Sequence, residues 1–177
     1  MPLYYITGIS GSGKSTVLSE LKQHGYEAYD VDEAGPVAAK WTHNTTGYIH
    51  PKSSVKQADR TPEFIAEHSW KVPRHEVIDL SDKAGVKDVF LGGAIANEPE
   101  LQDLFKTVFA LAIDDNTLKQ RLANRTSNDW GKNPHELEYT LAVNQELAER
   151  YHRLGYTVID ATRPTDAILS EIINYIS

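Results

Sequence analysis

Eight residues near the N-terminus constrain this chain more than any others: Gly8-Ile9-Ser10-Gly11-Ser12-Gly13-Lys14-Ser15, the pattern G-x-x-x-x-G-K-[ST]. The flanking residues set the pattern in a strand–loop–helix unit. Leu3-Tyr4-Tyr5-Ile6-Thr7 is apolar and β-prone, and beyond Lys14 the residues Val17, Leu18 and Leu21 recur at helical spacing. Glycines at 8, 11 and 13 let the backbone turn tightly and aim successive N–H groups at one anion. The start of the helix adds partial positive charge at the same point. A polyphosphate is the ligand such a loop fits. Lys14 is placed to reach the β- and γ-phosphates and the Ser15 hydroxyl to ligate Mg²⁺, with Thr16 closing the phosphate-holding segment.

The rest of the chain continues the alternation of strand and helix. Strands are predicted at 26–31, 86–95, 108–113 and 157–159, the third and fourth built on continuous apolar runs that suit burial on both faces. Helices are predicted from Thr61 and Pro62 to about Lys71, from Pro73 to about Gly85, and over 99–106, 117–125, 135–154 and 165–176. A short helix through Val37 to Trp41 and a polar loop over 42–59 complete the reading. Strands joined through helices imply right-handed crossovers. The fold class is therefore α/β, a three-layer α/β/α doubly wound sheet of five parallel strands, forming one domain over 1–177. Ligands of such sheets gather beyond the carboxyl ends of the strands, so the chemistry is sought there.

After the second strand stand Asp30 and Asp32, whose alternation places both carboxylates on one side of an extended segment. Such a pair suits holding Mg²⁺ and accepting a proton from an attacking hydroxyl. We assign Asp30 to the acceptor and Asp32, with Ser15, to the metal; the exchange of the two roles, or Asp32 as a helix cap, stays open. Gly92 and Gly93 after the third strand allow close approach by a substrate, or a plain turn, and Asn97 is favoured over Glu98 as a substrate contact. Arg121 and Arg125, one helical turn apart, are positioned to clamp phosphates during transfer. The polar segment 126–134, with Gly131 and Lys132, follows as a candidate lid. Arg163 and Pro164, after the fifth strand, are candidates for contact with a base, and serve equally as a helix start.

Composition excludes several alternatives. With no cysteine, disulfides, thiolate catalysis and cysteine-ligated zinc are ruled out. A net charge of −7 argues against nucleic acid, although Lys40, Lys52, Lys56 and Arg60 form a local positive island. The seven histidines show no metal-binding spacing and receive no ligand role. No apolar run reaches membrane length and no basic-then-apolar leader is present, so a cytoplasmic protein without a membrane partner is expected, as monomer or homodimer. Asn-Lys-x-Asp, which reads guanine, does not occur.

The order of these parts resembles the small P-loop kinases: nucleoside and nucleotide kinases, shikimate kinase and gluconate kinase. The resemblance rests on residues 8–15, Asp30-Val31-Asp32, Gly92-Gly93, Arg121 to Arg125 with the following loop, and Ile159-Asp160-Ala161-Thr162-Arg163-Pro164. It implies a P-loop NTPase fold of nucleotide-kinase-like topology, with ATP and Mg²⁺ as donor and cofactor. It implies a small-molecule hydroxyl or phosphate acceptor, nucleosides and nucleotides included. It further implies an acceptor-binding subdomain over 33–83, a lid over 126–134, and adenine contact by the loop after the fifth strand. The Asp-Gly-x-Pro-Arg pattern of adenylate-type kinases is absent, Gly92-Gly93-Ala94 standing in its place. The glycine and aspartate pairs look more like shikimate kinase, but Arg60 and Arg74 are the only arginines of the acceptor region. An ATP-binding switch with slow hydrolysis is the alternative from another class, since no clear water-positioning residue is present.

Overall fold

In the computed structural model, which describes residues 3–126, 131 and 134–177, the chain runs β1 (Leu3–Gly8), α1 (Lys14–Gln23), β2 (Glu27–Asp30), β3 (Lys40–His43), α2 (Pro62–Glu67), β4 (His68–Lys71) and α3 (Arg74–Ala84). It continues β5 (Val89–Gly92), β6 (Thr107–Ala112), α4 (Asp115–Asn124), α5 (Pro134–Arg153), β7 (Thr157–Asp160) and α6 (Thr165–Ile176). Alternation along β1 divides the molecule into layers, because successive side chains leave opposite faces of a strand. Leu3 and Tyr5 enter one core with Val77 and Leu80 of α3 and Tyr151 of α5. Tyr4 and Ile6 enter the other with Leu18 of α1, Leu118 of α4 and Ile168 of α6. β1 is buried along its whole length, as the apolar run required.

The five main strands are parallel in the order β2-β5-β1-β6-β7, giving the three-layer α/β/α arrangement with β1 at the centre. From β1 the chain goes first to the β2 side and later crosses to β6, so the carboxyl end of β1 is the switch point. Register brings the relevant strand ends level: Ile6 and Asp30 both pair with Gly92, and Gly8 pairs with Leu111. Helix starts follow local chemistry. The Asp114 carboxylate accepts from the N–H groups of Asn116 and Thr117 to cap α4, and Thr61 caps α2 ahead of Pro62.

Two sequence expectations are corrected outside the main sheet. The segment read as a short helix ending at Trp41 supplies β3, and the helix expected to reach Lys71 stops at Glu67 and becomes β4. β3 and β4 pair as an antiparallel ribbon, Trp41 opposite Trp70. α2 buries no residue, so nothing held its last turn against that pairing. Among the described residues, no helix is long and apolar enough to cross a membrane.

Candidate active site

Between β1 and α1 the loop turns on Gly11 and Gly13, whose φ of +93° and +105° lie where a β-carbon is strained. Gly13 leads directly into α1, leaving the first N–H groups of the helix without partners inside it. Lys14 lies buried beneath this cradle, its Nζ donating to the carbonyls of Gly8 at 2.8 Å and Ile9 at 3.0 Å. Burial lowers its pKa to about 8, against the opposing pull of Asp32 and Asp30. The ammonium thus rests on the loop that a phosphate would fill.

The two aspartates separate once the turn after β2 is seen. The strand ends at Asp30, Glu33 N–H donates to its carbonyl at 3.1 Å, and Asp32 N–H donates to its Oδ1 at 3.0 Å. Strand alternation therefore does not extend to Asp32. Ser15 Oγ donates to Asp30 Oδ2 at 2.7 Å, so the carboxylate beside the hydroxyl is Asp30, where Asp32 was expected. Asp32 instead accepts from the Trp70 indole N–H at 2.8 Å. Loss of water raises the Asp32 carboxyl above its usual range, the Trp70 hydrogen bond opposing and the Asp30 charge adding to the rise.

Both arginines of α4 reach the loop. Arg121 donates to the carbonyls of Ser12 at 2.9 Å and Ala161 at 2.8 Å, tying the phosphate loop to the loop after β7. Arg125 donates to Ser10 Oγ at 3.1 Å. Arg163 is turned the other way: it donates to the Asp160 carbonyl and pairs with Glu171 of α6, while Pro164 opens that helix. Its guanidinium is tied to α6 and to the Asp160 carbonyl. In the segment 126–134, residues 127–130, 132 and 133, Lys132 among them, lie outside the described residues. Gly131 packs on Leu122 and donates to Glu136.

At the end of β5 the protein's own packing and main-chain bonds account for three residues. A β-carbon on Gly92 would stand 2.8 Å from Leu18 Cδ1, and one on Gly93 would stand 2.2 Å from Val31 Cγ2. Side chains of the protein, not an open cleft, demand glycine at both positions. Asn97 is buried with its amide spent on main chain: Oδ1 accepts from Val72 N–H at 3.2 Å and Nδ2 donates to Val72 O at 2.9 Å. Its neighbour Glu98 is the residue passed over. Its carboxyl is buried beside Thr7 and Tyr156, and burial raises its pKa while those hydroxyls and the charges of Arg150 and Lys14 oppose. Its signal was an acidic residue directly after a strand-end turn.

Beside the turn that carries Asp32 stands the β3–β4 ribbon with α2, held together by rings. Trp41 meets Trp70 at 5.3 Å and Phe64 at 5.4 Å, and Phe64 stacks on His68 at 3.9 Å. His68 Nδ1–H donates to the Phe64 carbonyl at 2.9 Å, so its Nε2 accepts from His50 Nε2 at 3.1 Å. The ribbon is pinned to the sheet by Trp70, through Asp32 and through its own carbonyl to Ala96 N–H at 2.8 Å, and by the Asn97–Val72 bonds.

A family model described as an AAA domain matches residues 5–152 of this chain. No curated protein matches it in sequence. Solved structures share its fold. Shikimate kinase from Acinetobacter baumannii in complex with shikimate is 15% identical with a TM-score of 0.60, over 99% of this chain and 93% of that one. Deoxyadenosine kinase from M. mycoides with bound dCTP is 16% identical with a TM-score of 0.58, over 98% of each chain. A gluconokinase from Sinorhizobium meliloti 1021 is 16% identical with a TM-score of 0.52, over 96% of this chain and 88% of that one.

Proposed function

Because the chain belongs to the AAA-domain family and carries the fold of the small P-loop kinases, we propose that it moves the γ-phosphoryl group of ATP to a small-molecule acceptor. The contact that carries this reading is Ser15 Oγ to Asp30 Oδ2 at 2.7 Å, beside the N-terminus of α1. One hydroxyl and one carboxylate there would hold a magnesium ion, a hard cation that takes oxygen ligands. When bound, the ion neutralises charge on the phosphates.

The residues of the chain do the rest by position and charge. Backbone N–H groups of residues 8–16 hold the phosphates, and Lys14 exchanges the carbonyls of Gly8 and Ile9 for phosphate oxygens. Arg121 keeps the loop against the segment after β7, and Arg125 approaches from Ser10. Asp32, held by the Trp70 N–H, takes the proton of the acceptor hydroxyl. The acceptor oxygen then bonds to the γ-phosphorus as the bond to ADP breaks. This exchanges the roles given to the two aspartates on sequence alone, the Ser15 contact being the reason. Residues 33–83 supply the acceptor side.

Incubation with γ-labelled ATP, MgCl₂ and a panel of small alcohols and phosphates tests the reading. Acceptor-dependent release of ADP with label on the acceptor is expected. Hydrolysis that no acceptor accelerates would refute it and return the protein to the class of nucleotide switches.

A further inference from the structure

No spacing along the chain marks the histidines as ligands, yet the fold brings two of them together from 18 positions apart. His50 and His68 flank β3. On one side of that strand His50 N–H donates to the Trp41 carbonyl at 2.8 Å, and on the other His68 pairs with His43. Their half-buried rings meet with the two Nε2 atoms 3.1 Å apart. We propose that His50 and His68 are the two protein ligands of a site for a divalent transition metal of the zinc, nickel and copper class, with water in the remaining positions. This site is separate from phosphoryl transfer and does not depend on it.

The geometry is that of a chelating pair. With metal–nitrogen bonds of about 2.0–2.1 Å, nitrogens 3.1 Å apart subtend an angle of about 95–102° at the ion, between the square-planar and tetrahedral values. One lone pair is already prepared. His68 Nδ1–H donates to the Phe64 carbonyl at 2.9 Å, the kind of bond that orients a ligating imidazole, and this leaves Nε2 unprotonated. His50 Nε2–H now points at that lone pair. On metal binding His50 carries its proton on Nδ1 instead, so both rings coordinate as neutral imidazoles. His43 is not a third ligand, although its ring lies 4.8 Å from that of His68. Its Nδ1 accepts from the N–H groups of Thr45 and Thr46, so its Nε2 holds the proton. No group of three or more metal-binding side chains forms among the described residues, so two imidazoles set the class of ion. Nitrogen ligands suit zinc, nickel and copper, whereas magnesium and calcium take oxygen. Phe64 stacks on His68 at 3.9 Å and Tyr48 meets His50 at 4.9 Å, giving the pair an aromatic surround. A bound ion would staple the segment ending at His50 to β4, across β3 and next to Trp41.

The test titrates the untagged full chain with NiCl₂, CuCl₂ or ZnCl₂, in excess MgCl₂ to fill oxygen sites. Quenching of tryptophan emission reads nickel and copper, and calorimetry reads zinc. One ion per chain is expected, copper binding tightest. His50→Gln and His68→Gln should each weaken binding at least about tenfold, while His75→Gln, on the exposed side of α3, leaves it unchanged. Zinc should also slow amide exchange at residues 48–50 and 68–70, and not in His68→Gln. Equal affinity in wild type and either ligand variant, or an equal loss in His75→Gln, would overturn the proposal. Should a glutamine variant lose the ribbon by circular dichroism, the intact chain decides. Zinc must then shift the ¹⁵N resonances of both His50 Nε2 and His68 Nε2, and a shift at one or neither refutes the site.

Discussion

Adding one methyl group at Gly93 puts it 2.2 Å from Val31 Cγ2, well inside the 3.5–4.0 Å at which carbon atoms attract. Neither side can yield cheaply. Val31 is fully buried and β-branched, so it holds one rotamer. The backbone on both sides is bonded: Gly93 N–H to Ile6 O at 3.1 Å, Val31 N–H to Gly92 O at 2.9 Å, and Ala39 N–H to Val31 O at 2.9 Å. Overpacking of this kind costs about 1–3 kcal/mol. For a chain of this length that lowers Tm by about 2–12 °C. Val31→Ala alone removes two buried methyls and is also expected to cost about 1–3 kcal/mol. In the double variant the new methyl enters the vacated space, so the combined loss should fall short of the sum by at least about 1 kcal/mol. Urea unfolding followed by circular dichroism reads these values, and phosphoryl transfer is measured on the same samples. If the two losses simply add, the packing argument is wrong. If coupling appears but transfer stays lost in the double variant, Gly93 meets a ligand after all.

Four further outcomes are expected. Lys14 is protonated in both states below about 8 and carries its full burial cost there; between about 8 and 10.5 only the unfolded chain keeps the proton, so stability relative to Lys14→Met should rise across that window by up to about 3 kcal/mol in urea titrations at successive pH. Nucleotide affinity should weaken over the same rise, because the cradle loses its cation. Asp30→Asn should raise the Mg²⁺ concentration needed for half-maximal transfer about tenfold, whereas Asp32→Asn should lower kcat by about 100-fold at unchanged Mg²⁺ dependence; the opposite pattern in a metal titration restores the first assignment. Asn97→Leu leaves the buried N–H and C=O of Val72 unmatched and should cost about 2–4 kcal/mol in unfolding experiments, with nucleotide binding by the folded protein retained.

The parts legible in the sequence are those whose cause is local. A continuous apolar run such as Leu3 to Ile6 has nowhere to go but the centre of a sheet, and the glycines at 11 and 13 announce their own backbone angles. The ribbon was not legible because its cause is distant. Trp41 becomes a strand residue by pairing with Trp70, a partner that no window around either contains. Asp32 misled because alternation holds only while the strand lasts, and the chain turns at Asp30. Between Asn97 and Glu98 residue type favoured the amide. The 3-10 turn beginning at Glu98 decided instead, burying both and giving the amide to the Val72 backbone.

The ring-built ribbon has a bearing on redesign. Its interior is a handful of aromatic contacts among Trp41, His50, Phe64, His68 and Trp70, while the residues immediately flanking it, Ala39 and Val72, belong to the core under the sheet. Its fastenings to the rest of the protein run through Trp70, through the Asn97–Val72 bonds, through Lys40 to Glu76 and through Lys52 to the Glu33 carbonyl. Everything from residue 40 to residue 71 can therefore be treated as a cassette, exchanged whole or diversified as a library, while the phosphate loop and its five strands stay as they are. On the proposed function, selectivity and donor chemistry become separately editable, with Trp70, Asn97, Lys40 and Lys52 as the clasps any replacement must keep.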